Sequence, residues 1–343
     1  MKLARLLLLS LFLGVLILVG TSFLVGWRQA LAVLENANLS FLALAGLFQF
    51  LAVVAVYARW RAFVDNARIR VNSWRLFSIT LAGIGFSHLM PSSRMGGEPV
   101  RAFFLKKSTG KPASLCLSTI IAERIFDAVV FSFFALLTII FALFYWDLPL
   151  FLVALLVLAF LISTFALYLM IHVSVNKKSG LKLAFWVFRR FQGFISRFKP
   201  VKQLEKRIFK GVEDYSTSTA RLIFDKKMWL PGIGFTLLVW VFDVLRTFFV
   251  FKALGFQAGF LLIASVLVVA ALAGAIPVSP GGLGLMEIAM IAMYSASNVP
   301  LVAAGLVTIV DRLFSFWAFT IIGLGAAWYL GVARVNNVSI NGK

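Results

Sequence analysis

The sequence predicts an all-α polytopic membrane protein with about six full transmembrane helices and two re-entrant, broken helical segments in an inverted-topology repeat. The first ground is composition. The 343 residues are 62% hydrophobic and 13% charged, with a mean hydropathy of +0.98, whereas soluble domains run at about 45–50% apolar and about 25% charged. The second is that apolar runs of membrane length recur from end to end, each near the roughly 20 residues a crossing helix needs. The third is a pair of Gly/Pro motifs that interrupt apolar runs and each carry a carboxylate: Pro91-Ser92-Ser93-Arg94-Met95-Gly96-Gly97-Glu98-Pro99-Val100-Arg101, and Pro277-Val278-Ser279-Pro280-Gly281-Gly282-Leu283-Gly284-Leu285-Met286-Glu287. Proline removes a backbone donor and glycine favours non-helical dihedrals, so a regular helix stops there. In hydrocarbon such a break is tolerated only where protein or a wet cavity satisfies the freed peptide groups. Residues 1–343 read as one integral membrane domain.

In chain order, residues 6–26 follow a short basic start, Lys2 and Arg5. The run is too long for a signal-peptide core and lacks a small-x-small cleavage site, so it reads as a retained first span. Further spans are expected at 40–60, 115–145, 148–173, 229–252 and 299–330. Two shorter apolar pieces, 76–90 and 259–277, lead into the two motifs. The flanking charges orient these pieces. Arg59, Arg61, Arg68, Arg70 and Arg75 fill 59–75; Arg101, Lys106, Lys107 and Lys111 fill 101–111; residues 174–228 are the most basic of all. Placing every basic segment in the cytoplasm makes 76–90 and 259–277 re-entrant from opposite sides and puts both termini in the cytoplasm of a plasma-membrane protein. Two full crossings in their place would put 101–111 outside.

The loop 174–228 holds 14 Lys/Arg against 4 Asp/Glu. Phe185, Phe188, Phe191, Phe194, Ile195 and Phe198 recur every three to four residues, with Arg189, Arg190, Arg197 and Lys199 largely between them. That is an amphipathic helix with an aromatic face, suited to the headgroup region of an anionic leaflet. The formal net charge of +20 therefore points to anionic lipid rather than nucleic acid.

Self-similarity shapes the rest. The pairs Glu123-Arg124 and Asp311-Arg312 lie 188 residues apart (311 less 123), and the Gly/Pro motifs and the pair Arg59/Arg246 recur at nearly that offset. The repeated unit is a span, a broken segment and a span with an acid-arginine pair, over residues 40–145 and again over 229–330. An odd number of crossings between the copies inverts the second. Inverted repeats with broken helices place substrate near the midplane of many secondary transporters.

The intramembrane charges are the candidate site. Arg124 and Asp127, like Asp243 and Arg246, are three apart and share a helix face. Each charge costs a few kcal/mol in the bilayer unless paired or wetted. Mutual neutralisation is one reading: Arg124 with Asp127 or Glu98, Arg246 with Asp243, Arg312 with Asp311 or Glu287. The other is substrate binding. Arginine keeps its charge and its planar fork holds a phosphate in a bidentate manner, and the half-helices after Gly97 and Gly284 offer N–H groups to an anion. The substrate-binding set is Arg59, Arg94, Glu98, Arg101, Arg124, Asp127, Asp243, Arg246, Pro280, Gly281, Gly282, Glu287, Asp311 and Arg312. The carboxylates act as counter-ions or a proton relay. His88 and His172 are far apart, no local metal-ligand spacing appears, and Cys116 reads as a small buried hydrophobe. No metal, cofactor or catalytic residue is expected.

The stretch MPSSRMGGEPVRAFFL, followed by AERIFDAVV, resembles the first signature of the lysylphosphatidylglycerol synthase transmembrane family, also called flippase-like or UPF0104 proteins. The stretch IPVSPGGLGLMEIAM, followed by VDRLFSFWAFTIIG, resembles the second. Many relatives carry an acid near the glycines of the first motif, where this chain reads Arg94-Met95-Gly96-Gly97; Glu98 takes that place. The resemblance covers essentially the whole chain and implies lipid handling. In bifunctional members the membrane part is regarded as moving aminoacylated phosphatidylglycerol between leaflets, while a soluble domain makes it. No stretch here corresponds to that domain, so aminoacyl transfer is not expected. Some stand-alone relatives are linked to polyprenyl-phosphate sugar pathways. The expectation is translocation of an anionic or polyprenyl-phosphate lipid; the alternative is a membrane enzyme, or an accessory subunit of a separate synthase or glycosyltransferase.

Overall fold

The structure, a computed structural model, describes residues 33–90, 96–145, 150–195, 201–276 and 279–340. The expected first span 6–26, Arg94 and the rest of Pro91–Met95, and Pro277 and Val278 lie outside the described residues. Within them the chain is all-helical: α1 Leu39–Asn66, α2 Ser73–Leu89, α3 Glu98–Thr109, α4 Ala113–Tyr145, α5 Leu150–Val175, α6 Lys177–Ile195, α7 Val201–Phe224, α8 Trp229–Ala253, α9 Phe260–Gly274, α10 Leu285–Ala296, α11 Leu301–Arg312 and α12 Phe319–Ile340. Five stretches are long and apolar enough to cross a membrane: Leu39–Asn66, Ala113–Phe144, Val153–Val175, Lys226–Ala253 and Leu301–Gly331. They coincide with the second to sixth expected spans. The chain is an all-α, multi-pass integral membrane protein.

The helices begin where the sequence supplies caps. Asn38 accepts from the Ser40 and Phe41 amides at the start of α1, and Asn72 from those of Trp74 and Arg75 at the start of α2. Such a side chain satisfies donors the first turn leaves open. Glycine in the left-handed region, Gly110 at φ +69°, ends α3. At 17 and 15 residues, α2 and α9 rise about 1.5 Å per residue, so each falls short of the roughly 30 Å hydrocarbon core.

Helices α1 and α8 pack antiparallel along their length. The Asn38 amide donates to the Ala253 carbonyl at 2.8 Å, Phe41 stacks on Phe249 and Phe48 meets Phe242, each with ring centroids 6.0 Å apart. Helices α2 and α3 form an antiparallel hairpin in which the Gly97 amide donates to Ser87 Oγ at 3.0 Å. A Cβ on Gly97 would fall 2.0 Å from the Gly83 carbonyl oxygen, so this crossing exists only because both positions lack side chains. Helix α2 also lies backbone to backbone on α12, where a Cβ on Gly323 would come 2.4 Å from the Leu81 carbonyl oxygen.

The two motifs meet. Pro280–Gly282 forms one short 3₁₀ turn with Gly281 at φ +55°, and the Gly281 amide donates to the Met90 carbonyl at 3.3 Å. A Cβ at Gly281 would lie 2.7 Å from the His88 carbonyl oxygen. The end of α2 and the turn before α10 are thus packed tip to tip.

Helix boundaries recur along the chain. Helices α3 and α10 begin at residues 98 and 285 and end at 109 and 296, an offset of 187 (285 less 98) at both ends. Helices α2 and α9 begin at 73 and 260, the same offset.

The basic segment forms two helices, α6 and α7, and of the aromatic face expected in the first of them Phe188 is buried. Among the described side chains of α6 the exposed large apolar residues are Leu183, Trp186 and Val187, flanked by exposed Lys182, Arg189 and Arg190. Of the stripe, Phe188 is buried within the protein and Phe185 partly so, a placement that periodicity alone does not reveal. The side chains of Phe191, Phe194 and Phe198 lie outside the described residues.

Candidate functional site

The intramembrane charges gather into two clusters. In the first, Arg59 of α1 reaches three partners: Glu123 Oε1 at 2.9 Å from Nη2, Asp127 Oδ1 at 2.7 Å from Nη1, and Thr236 Oγ1 of α8 at 2.7 Å from Nη1. Arg101 of α3 donates from Nη2 to the other oxygen of Glu123 at 2.5 Å and lies over the Trp60 ring at 4.0 Å. Arg124 donates from Nε to Glu98 Oε1 at 2.6 Å and from Nη1 to Asp127 Oδ2 at 2.8 Å. Three arginines face three carboxylates drawn from α1, α3 and α4.

In the second cluster, Arg246 of α8 donates from Nε to Asp311 Oδ1 at 2.8 Å and from Nη1 to Gln49 Oε1 of α1 at 2.5 Å, and it pairs with Asp243. Thr247 Oγ1 donates to Asp311 Oδ1 at 2.7 Å. Arg312 donates from Nε to Glu287 Oε1 at 2.5 Å, and its guanidinium lies over Phe316 at 4.6 Å. His88 stacks on the same Phe316 at 4.5 Å. Its Nδ1 sits 2.8 Å from Thr320 Oγ1, and that hydroxyl donates to the Phe316 carbonyl at 2.6 Å; Nδ1 therefore carries the hydrogen. Directly after Asp311-Arg312 the helix loosens into a π-turn over Leu313–Ala318, a local widening that frees a last-span segment from regular i→i−4 bonding.

The clusters cross-brace α1 and α8 reciprocally. Arg59 on α1 reaches Thr236 on α8, while Arg246 on α8 reaches Gln49 on α1. Gln49 and Thr236 are 187 apart (236 less 49), as are Arg59 and Arg246. Gln49 and Arg59 are ten residues apart on one helix (59 less 49), so the clusters stand about 15 Å apart along the α1 axis. Most of these groups are buried. The openings are Arg124 and Asp127, 22% and 29% exposed, in the first cluster and Asp243, 31% exposed, in the second.

The alternatives left open by sequence are decided here. Arg124 takes both Glu98 and Asp127. Arg246 takes both Asp243 and Asp311, so Arg312 pairs with Glu287 and not with Asp311. At the α10 N-terminus the Gly284 amide donates to Glu287 Oε2 at 2.6 Å, so a carboxylate at the third helical position caps that end from within the chain. Pro280, Gly281 and Gly282 form the packed turn rather than reaching a charge. The unpartnered groups among the described residues include Glu98 Oε2, Arg101 Nε, Arg312 Nη2 and the Tyr294 hydroxyl. Glu123, at the centre of the first cluster, and the neutral pair Gln49 and Thr236 were absent from the expected site set. Their signal was the offset itself, which Gln49 and Thr236 share with the arginines. Cys116 is fully buried, and among the described residues no group of His, Cys, Asp and Glu side chains could hold a metal ion.

The family described as the lysylphosphatidylglycerol synthase TM region matches residues 7–323. The chain belongs to that family. Among family relatives, a UPF0104 membrane protein of Methanothermobacter thermautotrophicus is 31% identical over 320 residues, 93% of this chain and 94% of the relative. One of Pyrococcus horikoshii is 27% identical, covering 92% of this chain and 94% of the relative. One of Methanocaldococcus jannaschii is 27% identical, covering 87% of each. No solved structure matches. Both ion clusters of this UPF0104 member, including the last-span pair Asp311-Arg312, fall within the matched residues.

Proposed function

We propose that this UPF0104 protein moves an anionic, phosphate-bearing lipid between the leaflets of the plasma membrane, with both termini in the cytoplasm. The observation that carries the reading is the reciprocal bracing of α1 and α8 by two ion clusters at different depths, each beside a broken-helix tip. Residues 40–145 and 229–330 act as two copies of one unit in opposite orientation, with α2–α3 and α9–α10 as re-entrant hairpins entering from opposite sides. Supporting this are the shared offset, the antiparallel contact of the corresponding helices α1 and α8, and the insufficient lengths of α2 and α9.

In this mechanism the arginines of the acid-arginine pairs take the lipid phosphate. Arg124 is reachable, and a phosphate arriving there replaces one of its two carboxylates. Arg312 Nη2 has no hydrogen-bond partner, so it donates to a phosphate oxygen without first losing Glu287. Arg59 and Arg246 are saturated by protein groups and act as braces. Exchange of a carboxylate for a phosphate at one depth loosens the brace there while the other remains closed, which is the requirement of alternating access. The acyl chains stay in hydrocarbon while the headgroup crosses, so little apolar surface is rehydrated.

The test is reconstitution of the full chain into liposomes carrying labelled anionic phospholipid or labelled polyprenyl phosphate. Leaflet exchange above protein-free vesicles is expected, with at least a tenfold loss (about 1.4 kcal/mol) in Arg124→Ala and Arg312→Ala. Lysine at either site keeps charge but not the bidentate fork and should fall between. Exchange no faster than in the two alanine variants ends the reading.

A further inference from the structure

One buried ring gathers groups from three parts of the chain. Phe316 is buried and lies within the π-turn Leu313–Ala318 that follows Asp311-Arg312. The Arg312 guanidinium sits over the ring, 4.6 Å from its centroid. His88, in the last turn of α2, stacks on the same ring at 4.5 Å with the planes 23° apart. The ring also meets the second motif, where a Cβ on Gly281 would fall 2.5 Å from Phe316 Cε2. His88 is tied to this residue a second time. Its Nδ1 donates to Thr320 Oγ1 at 2.8 Å, and that hydroxyl donates to the Phe316 carbonyl at 2.6 Å. The two hairpin tips are joined to each other by the Gly281 amide on the Met90 carbonyl at 3.3 Å. Both therefore bear on the ring that carries Arg312. The first copy is built differently. At the offset of 188 that relates Arg124 to Arg312 (312 less 124), the counterpart of Phe316 is Ala128 (316 less 188), and α4 runs through that point as one helix, Ala113–Tyr145.

With Arg312 read as a phosphate-binding group, as in the proposed function, we infer that Phe316 is its positioning residue. The ring aims the free Nη2 of Arg312 and links occupancy of that nitrogen to the contact between the hairpin tips. Two contacts fix the guanidinium: Nε donates to Glu287 Oε1 at 2.5 Å, and the group lies on Phe316. Nη2 is buried and has no hydrogen-bond partner. An aromatic ring attracts a guanidinium through its quadrupole, and the attraction is worth more when desolvated. A phosphate oxygen on Nη2 brings a second anion to a cation already paired with Glu287, so less positive charge is left for the ring. The hold on Phe316 weakens, and with it the stacking of His88 and the seat of Gly281. The π-turn supplies the slack, because its backbone is released from the regular i→i−4 ladder. Filled and empty states then differ in the tip contact, and a ligand shifts an equilibrium only through such a difference.

Double electron–electron resonance on the full chain in vesicles reads the separation of the two hairpins. Labels go at Trp74→Cys and Leu261→Cys, exposed residues at the far ends of α2 and α9, on a Cys116→Ser background. Adding phosphatidylglycerol to phosphatidylcholine vesicles should move part of the distance distribution to longer values. Arg312→Ala should abolish that shift. Phe316→trifluorophenylalanine keeps the size of the ring but removes most of its quadrupole, so a role in packing alone would be left intact. The shifted fraction is expected to fall about fivefold in that chain. His88→Leu, which leaves Arg312 and the ring in place, should lose the shift as well. Thermal unfolding and gel filtration of each variant serve as the folding control. A shift undiminished in the fluorinated chain or in Arg312→Ala overturns the inference, as does a wild-type distribution that ignores the anionic lipid. If the hinged response appears while liposome exchange is absent, Phe316 keeps its role and the transport reading falls. If exchange proceeds while the hairpins stay fixed, transport stands and Phe316 loses its role.

Discussion

Arg59 is held by two carboxylates and a threonine while almost wholly buried, so its removal takes the donors from Glu123 Oε1, leaves that carboxylate to Arg101 alone and leaves the buried cluster one positive charge short. Arg59→Met should destabilise the folded protein by about 3–5 kcal/mol, read as a lower unfolding temperature of the detergent-solubilised chain. Adding Glu123→Gln should recover part of the loss, because a neutral amide asks for less than a bare carboxylate; no recovery would mean that Arg59 is not paired with Glu123. At this scale the sequence was informative about which residues matter and silent about who meets whom. The pairs Glu123-Arg124 and Asp311-Arg312 were visible as costly charges in apolar runs, and the i, i+3 pairs Arg124/Asp127 and Asp243/Arg246 followed from helix geometry. The bonds of Arg59 to Glu123 and of Arg246 to Asp311 join residues some 64 and 65 positions apart. Nothing local selects them; the packing of α1 on α4 and of α8 on α11 does.

Among the elements, the crossing of α2 and α12 depends on two glycines that face each other. Gly323→Val should separate the helices, because its Cβ would lie 2.4 Å from a backbone oxygen that cannot rotate away. A loss of about 1–3 kcal/mol is expected from overpacking, measurable by thermal unfolding. Gly325→Val, two residues on and with open space around its Cβ, should be nearly neutral; equal losses at both would show that propensity rather than the crossing is at stake. The helices themselves were legible, since apolar runs and Asn caps mark their extents. The close approaches were not, because a glycine in an apolar run reads the same whether it faces lipid or another backbone. Helix α6 shows the converse: its phenylalanine period predicts one face of a helix, and packing turns Phe188 of that face toward protein.

Across the whole molecule, the basic helices α6 and α7 extend directly from the membrane-length α5, and Trp186 is 67% exposed beside Arg189 and Arg190. A spin label at Trp186→Cys, on a Cys116→Ser background, should sit at the headgroup boundary in vesicles of anionic lipid, shielded from aqueous relaxants. In zwitterionic vesicles, or after Lys182, Arg189 and Arg190 are changed to Gln, accessibility should rise; full aqueous exposure in anionic vesicles would refute an interfacial α6.

By itself the sequence determined that this is an all-α membrane protein, where its long helices run, that its intramembrane charges recur at one offset, and which family signatures it resembles. Those properties are local or periodic, carried by hydropathy, capping residues and spacing. Only the tertiary structure decided that the charges form two separate clusters, that α1 and α8 brace each other through Thr236 and Gln49, and that Glu287 caps its own helix terminus. Each depends on distances between helices far apart in the chain, and in an apolar medium those distances are set by which small residues let two backbones approach.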